Sequence, residues 1–177
     1  LLPELWSVFL SFTNYRLGRA LEVIGLENFR YIVEDEQFWR SMVITLVFVA
    51  ASVVLQMTIG LLITLLLAQR FRFQRLWIAL IMAPIAVTPS VAGTIWRYLL
   101  DFNIGPLNYI AQQLGLGRHP WLASDTLTLW VVIGVYVWQS VPYVFLFLYP
   151  ARITFPETLY EAATIDGATS MQSFRHI

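Results

Sequence analysis

Side chains that could carry out chemistry are sparse in this chain. It contains no Cys, and its only His residues are His119 and His176. Without thiolates, and with two isolated imidazoles, the sequence offers no disulfide framework and no metal site. It shows no Ser-His-Asp arrangement, no carboxylate pair at catalytic spacing and no GxxxxGK[ST] phosphate loop. We therefore predict no catalytic residues, no cofactor and no ATP bound through such a loop.

The most informative cluster of residues lies at 156–177. Gly167 can take the left-handed conformation that ends a helix, and a second short helix is predicted to begin near residue 169 or 170. Small Ala side chains would let the helix before Gly167 approach another surface closely. The carboxylates of Glu161 and Asp166 could cap local backbone or pair with Arg residues of a partner. An ordinary helix beside a membrane is the alternative interpretation.

The elements that must position this segment are apolar. Hydrophobic residues make up 58% of the chain, charged residues 12%, the mean hydropathy is +0.67 and the formal net charge is zero. This composition excludes a disordered chain and gives no basic excess for nucleic acid. No charged residue lies within 41–69, between Arg75 and Arg97, or between Asp125 and Arg152. Because about 20 helical residues cross the hydrocarbon core, each block is long enough to span a membrane.

The distribution of Arg predicts the orientation of these spans. Three Arg occupy the short segment 70–75, and short basic loops stay in the cytoplasm, although total Arg counts do not distinguish the two sides. The predicted order is a partial span 1–12, an extracytoplasmic loop 13–40, a span 41–69, a cytoplasmic loop 70–75, a span 76–97, an extracytoplasmic loop 98–125, a span 126–150 and a cytoplasmic segment 151–177. The apolar start without Met and the abrupt end predict a fragment of a longer polytopic protein, lacking N-terminal and C-terminal spans.

Polar, aromatic and Pro residues interrupt the apolar blocks. Pro84 and Pro89 each remove a helix donor from the second span, so that segment should face protein or a water-lined path. Two interpretations of the polar groups remain open: hydrogen bonds between helices, or a substrate path in which aromatic rings stack on a sugar. The candidate path residues are Gln56, Trp138, Gln139, Ser140 and Tyr143.

No Asp, Glu, Lys, Arg or His lies inside the three apolar blocks. Carriers driven by protons or sodium usually place ionisable groups there. The pattern therefore indicates that energy comes from another subunit.

Residues 161–168 read Glu-Ala-Ala-Thr-Ile-Asp-Gly-Ala, and Phe174 and Ile177 follow. This spacing resembles the EAA signature of ABC importer permeases. Further segments resemble the sugar-permease branch, of the maltose and glycerol-phosphate type: 11–15, 25–29 and 105–108.

The resemblance implies an all-α polytopic membrane helix bundle of the type I ABC importer permease class, with three complete spans, a partial N-terminal span and cytoplasmic coupling helices. It implies import of a sugar or sugar derivative by alternating access, with no enzymatic activity in this chain. The implied partners are two cytoplasmic ATPase subunits that bind ATP, a second permease subunit, an extracytoplasmic solute-binding protein and the lipid bilayer. The implied location is the inner membrane of a bacterium or archaeon.

The same resemblance assigns contact with the ATPase to the residues Glu161, Ala162, Ala163, Asp166, Gly167 and Ala168. Two other functions remain open. The chain could be an ABC permease for another class of solute, or a membrane scaffold subunit that transports nothing.

Overall fold

The computed structural model describes residues 2–15, 18, 21–69, 72–124, 126–156, 158, 163, 165–167, 169 and 172. These residues form seven α-helices and one 3₁₀ turn, and their only strand pairing is a single antiparallel bridge between Thr13 and Val23. The all-α fold class is thereby confirmed. The helices are α1 Leu2–Ser11, α2 Glu27–Glu34, α3 Glu36–Leu67, α4 Gln74–Met82, α5 Pro89–Leu99, α6 Pro106–Gln113 and α7 Leu127–Thr154, with the 3₁₀ turn at Ala83–Ala86.

The chain consists of two compact units, residues 1–48 and residues 49–177. In the first unit, Asn28 at the start of α2 donates through Nδ2 to the carbonyl oxygens of Ser11 and Thr13, at 2.9 and 3.0 Å. The rings of Phe12 and Phe29 lie 5.4 Å apart beside this contact. The segments 11–15 and 25–29, noted separately in the sequence, therefore pack on each other.

A helix boundary at Asp35 lies within the segment 13–40 and separates α2 from α3. Asp35 has an extended backbone, and its carboxylate accepts a hydrogen bond from the backbone N–H of Gln37 at 2.9 Å. This is the N-cap arrangement that starts a new helix. Helix α3 therefore begins at Glu36, ahead of the uncharged block 41–69.

Helices α3 and α7 are long and apolar enough to cross a membrane. Both expose most of their apolar side chains, as expected for helices surrounded by lipid. Where they meet, a Cβ built on Gly60 would lie 2.5 Å from Cγ1 of Val144. Only Gly permits this approach of α3 to α7. Ser52 and Thr64 of α3 are also buried, and their hydroxyls have no hydrogen-bond partner in the described part of the chain.

The predicted span 76–97 is not one straight helix. Its two arms, Gln74–Ala86 and Pro89–Leu99, meet at an angle of 101°, and they add a third span only if the bent pair is counted as one. The cause is local: Pro84 lies in the 3₁₀ turn, and Thr88, which precedes Pro89, has the extended backbone (φ −65°, ψ 148°) that a following Pro favours. By contrast, α7 continues without a break through Pro142 and Pro150.

The loop between α5 and α7 is organised around buried Asn108, which is 1% exposed. Its Oδ1 accepts hydrogen bonds from the backbone N–H of His119 and from Nε1 of Trp121, at 2.9 and 3.0 Å, and its Nδ2 donates to three carbonyl oxygens. Nearby, the carboxylate of Asp101 accepts hydrogen bonds from the backbone N–H groups of Ile104 and Asn103. These two donors lower the pKa of Asp101, and the charge of Arg97 acts in the same direction.

Candidate functional site

The break between α4 and α5 is held by a side chain from α7. The carbonyl of Val87 lies between the two arms, and no backbone N–H in the described part of the chain donates to it. Nε2 of Gln139 donates to this oxygen at 2.9 Å. Because a carbonyl freed inside an apolar bundle needs a partner, Gln139 stabilises the bent conformation directly.

The face of α7 that carries this contact is its most buried one. Ile133, Val137, Val141 and Phe145 are each at most 7% exposed, and they recur every four residues along the helix. The 3₁₀ turn packs against α7, and Pro84 within that turn is buried. The bend is therefore a packed junction.

Trp138 of α7 contacts the second arm of the bent pair, α5. Its ring meets the ring of Trp96, on α5, edge to face with centroids 5.5 Å apart. Such aromatic pairs contribute about 0.5–1.5 kcal/mol beyond the area they bury. Adjacent residues of α7, Trp138 and Gln139, thus hold both sides of the broken helix.

The remaining candidate path residues are not joined to this junction. Gln56 and Ser140 are half-buried, Tyr143 is 48% exposed, and none of the three has a side-chain hydrogen bond within the described ranges. Of the five candidates, the structure brings Trp138 and Gln139 to the broken helix. The geometry at Gln139 is that of a hydrogen bond between helices, which was one of the two interpretations left open.

Residues 156–177, to which the resemblance assigns the contact with an ATPase and which we call the coupling segment, are described in part. Glu161, Ala162 and Ala168 lie outside the described residues, whereas Ala163 is helical and half-buried and Asp166 starts a turn. Gly167 has φ +80°, which supplies the left-handed turn expected there.

A second helix start follows this turn at Thr169. The backbone N–H and the hydroxyl of Thr169 both donate to Oε1 of Gln172, at 2.8 and 3.0 Å. The backbone N–H of Gln172 lies 3.4 Å from Oγ1 of Thr169. This reciprocal Thr-x-x-Gln arrangement is a capping box, and it agrees with the predicted start near residue 169.

Residues 56–177 match the family model described as the binding-protein-dependent transport system inner membrane component. The matched range contains the broken helix, α7 and the coupling segment. The chain belongs to this family. As the family name states, its members are components of an inner membrane transport system.

Named relatives support the sugar-permease resemblance. The chain is 36% identical to the diacetylchitobiose uptake system permease protein DasB of Streptomyces coelicolor, over 99% of this chain and 56% of the relative. It is 29% identical to the trehalose/maltose transport system permease protein MalF of Thermococcus litoralis, over 87% of this chain and 52% of the relative. The chain therefore spans about half the length of these relatives.

A solved structure supports the fold. A bacterial ABC transporter involved in the import of the acidic polysaccharide alginate superposes with a TM-score of 0.84 at 19% identity, covering 100% of this chain and 60% of that chain. The chain therefore shares the fold of the matching part of that transporter.

Sequence reasoning gave no structural role to Gln74, and it noted Asn108 only as part of the segment 105–108. Gln74, at the start of α4, contacts both Leu67 and Tyr149, and Asn108 organises the loop after α5. A polar amide within a basic loop and an Asn directly after Gly-Pro-Leu were the available signals.

Proposed function

We propose that this chain is the permease part of an ATP-driven importer that moves a sugar or sugar derivative into the cytoplasm by alternating access. The family match over residues 56–177 carries this proposal. The names of the relatives, which include diacetylchitobiose and trehalose/maltose, support a sugar as the substrate. The chain hydrolyses nothing itself, and ATP is bound and cleaved by separate subunits.

The charge pattern supports an external energy source. The uncharged blocks within α3, the bent pair and α7 contain no group that could carry a proton or hold a coupling ion by its charge. Movement must then be imposed on the helices from outside the bilayer. The coupling segment supplies a small-residue surface on which such a force could act.

The coupling contact is made by Glu161, Ala162, Ala163, Asp166, Gly167 and Ala168. The turn at Gly167 and the capping box at Thr169 support this proposal, because each restricts the backbone locally. A restricted backbone transmits a push better than a flexible loop, since it has few other conformations to adopt.

The partners are two cytoplasmic ATPase subunits, a second permease subunit and an extracytoplasmic solute-binding protein, in the inner membrane of a bacterium or archaeon. The family description, which names a binding protein, supports the last partner. In this orientation the segments 70–75 and 151–177 face the cytoplasm, and the segments 13–40 and 98–125 face outward.

The substrate path contains Gln56, Trp138, Gln139, Ser140 and Tyr143. Trp138 and Gln139 lie where the bent helix meets α7, and a bent or interrupted helix is where membrane carriers expose backbone to a substrate. At Gln139 the bond to Val87 gives this residue a positioning role as well.

The test measures uptake by vesicles that contain the whole transporter and its binding protein, with diacetylchitobiose, trehalose, maltose and an amino acid as probes. Replacement of Gly167 by Val should abolish ATP-dependent sugar uptake while the protein still inserts. Gly117→Val is the matched control, because Gly117 has φ +76° with open space around it and suffers the same backbone strain far from the coupling segment.

Each outcome of this test separates the alternatives. Uptake of the amino acid and of none of the sugars would favour a permease for another class of solute. Undiminished sugar uptake by Gly167→Val would remove the coupling role of this segment. No uptake of any probe by the unmodified transporter would favour a scaffold.

A further inference from the structure

Three helices meet at the side chain of Gln74. Its Nε2 donates to the carbonyl oxygen of Leu67 at 2.6 Å and lies 3.3 Å from the hydroxyl oxygen of Tyr149. Leu67 ends α3, so its carbonyl is one of those that a helix leaves without an internal partner. One amide group therefore joins the end of α3, the start of α4 and the last turns of α7.

The backbone directly before Gln74 is strained. Phe73 has φ +68° and ψ 16°, the only positive φ at a non-Gly residue in the described ranges. Residues other than Gly adopt this left-handed conformation at a cost, and they keep it where the surrounding contacts fix it. The two contacts of Gln74 are such constraints.

The side chain of Tyr149 is held in place by a neighbouring ring on α7. Its ring stacks on that of Phe145 with centroids 4.8 Å apart and planes 23° apart, and Phe145 is 2% exposed. Tyr149 also lies in the last turns of α7, which ends at Thr154 just before the coupling segment. A displacement of the coupling segment that moves the end of α7 therefore moves the hydroxyl of Tyr149.

The segment from Gln74 to Val87 is hydrogen-bonded to α7 at both ends. Tyr149 meets Gln74 at one end, and Gln139 donates to Val87 at the other. Between these points the 3₁₀ turn packs against α7. The first arm of the bent helix, Gln74–Ala86, should therefore move together with α7, and Gln74 links that movement to α3.

We propose that the Gln74–Tyr149 contact passes movement of the coupling segment to α3 and to the bent helix, with Gln74 as a positioning residue. The inference rests on the proposed function, because it needs an ATPase that moves the coupling segment. It adds a specific contact to that function, outside the coupling segment itself.

The experiment uses the complete transporter with its ATPase subunits and a reporter at the bend. Residues 1–177 contain no Cys, so Thr88→Cys places one thiol among them, at an exposed residue beside the break, and any Cys elsewhere in the transporter is first replaced by Ser. The rate at which this thiol reacts with a maleimide is measured without nucleotide and after trapping with ATP and vanadate. The difference between the two rates reports how far ATP moves the bend.

Two variants remove the contact from opposite sides. Tyr149→Phe keeps the stacked ring and loses only the hydroxyl, and Gln74→Met keeps the length of the side chain and loses the amide. Each should reduce the ATP-dependent difference in labelling about two- to ten-fold, the range that loss of one hydrogen bond produces. The double variant should be no worse than the more severe single variant, because both remove one contact.

Two further measurements separate transmission from folding. A second preparation with Ala163→Cys tests crosslinking to the ATPase, which should be unchanged by Tyr149→Phe. Tyr98→Phe is the matched control, since Tyr98 is 55% exposed on α5 and its hydroxyl has no hydrogen bond among the described residues. If Gln74→Met fails to assemble, Tyr149→Phe alone decides the test.

An undiminished ATP-dependent difference in labelling in Tyr149→Phe would overturn the inference. A smaller difference in Gln74→Met alone would overturn it as well, because only the bond from Gln74 to the carbonyl of Leu67 would then matter. A bend that does not respond to ATP in the unmodified transporter would overturn it too. Failure of the proposed function is distinct from these results, because it appears as absent sugar uptake or an absent Ala163→Cys crosslink.

Discussion

Replacement of Gln139 by Leu should destabilise the junction between α7 and the bent helix. The substitution removes the donor that lies 2.9 Å from the carbonyl of Val87 and changes side-chain volume little. The carbonyl then keeps no hydrogen-bond donor in the described part of the chain. Because water does not reach the interior of a membrane bundle freely, the oxygen cannot exchange one partner for another at no cost.

The size of the loss follows from the burial of the two groups. A buried acceptor left without a partner costs about 1–3 kcal/mol. Gln139 and Val87 are both half-buried, so the expected loss lies in the lower part of this range, at about 1–2 kcal/mol. For a chain of this size 1 kcal/mol corresponds to about 2–4 °C in Tm, which gives an expected decrease of about 2–8 °C.

The assay is thermal unfolding of the purified protein in detergent, followed by Trp fluorescence. Trp96 and Trp138 pack at the junction and should report its loss. Gln113→Leu is the matched control, because Gln113 is exposed at the end of α6 and should tolerate the same substitution. Equal Tm values for Gln139→Leu and the unmodified protein would refute the role of Gln139 in holding the bend, and so would an equal decrease in the control.

Two further predictions follow from local geometry. Gly60→Ala should lower the free energy of unfolding by about 1–3 kcal/mol, because the added methyl group overpacks against Val144. The double variant with Val144→Ala should recover this stability, and Gly134→Ala should lose none, because a Cβ at Gly134 meets nothing within 4 Å. Thermal unfolding measures all three variants. The pKa of Asp101 is lowered by the backbone N–H of Ile104 and its neighbour, so its stabilising contribution is full above the unfolded pKa of about 3.9 and lost as pH falls through the lower folded value. Asp101→Asn should therefore flatten the dependence of Tm on pH below about 4, and an unchanged dependence would contradict this.

The sequence predicted the features that are local in the chain. The positive φ of Gly167 follows from the ability of Gly to end a helix, and a second helix was predicted to begin shortly after it, near residue 169 or 170. Pro84 and Pro89 likewise predicted a disturbed second span, because a Pro changes its own helix whatever surrounds it.

The size of the bend and the contacts around it could not be predicted in this way. The two Pro residues predict a disturbance but not its angle of 101°, because the broken segment also packs against α7, far along the chain. The same holds for Gln74 and Tyr149, whose contact joins distant segments.

The two proline-containing segments differ in how their hydrogen bonds are made. In α7, which passes through Pro142 and Pro150 unbroken, most backbone bonds join neighbours that move together, so the helix can act as a stiff rod. In the bent pair, the carbonyl of Val87 depends on a side chain from another helix. A single bond of this kind contributes about 0.5–1.5 kcal/mol, close to the 1–3 kcal/mol by which coupled sites usually influence each other. In the proposed transporter, only a few such bonds, at Gln139 and Gln74, therefore make the bend follow the movement of α7.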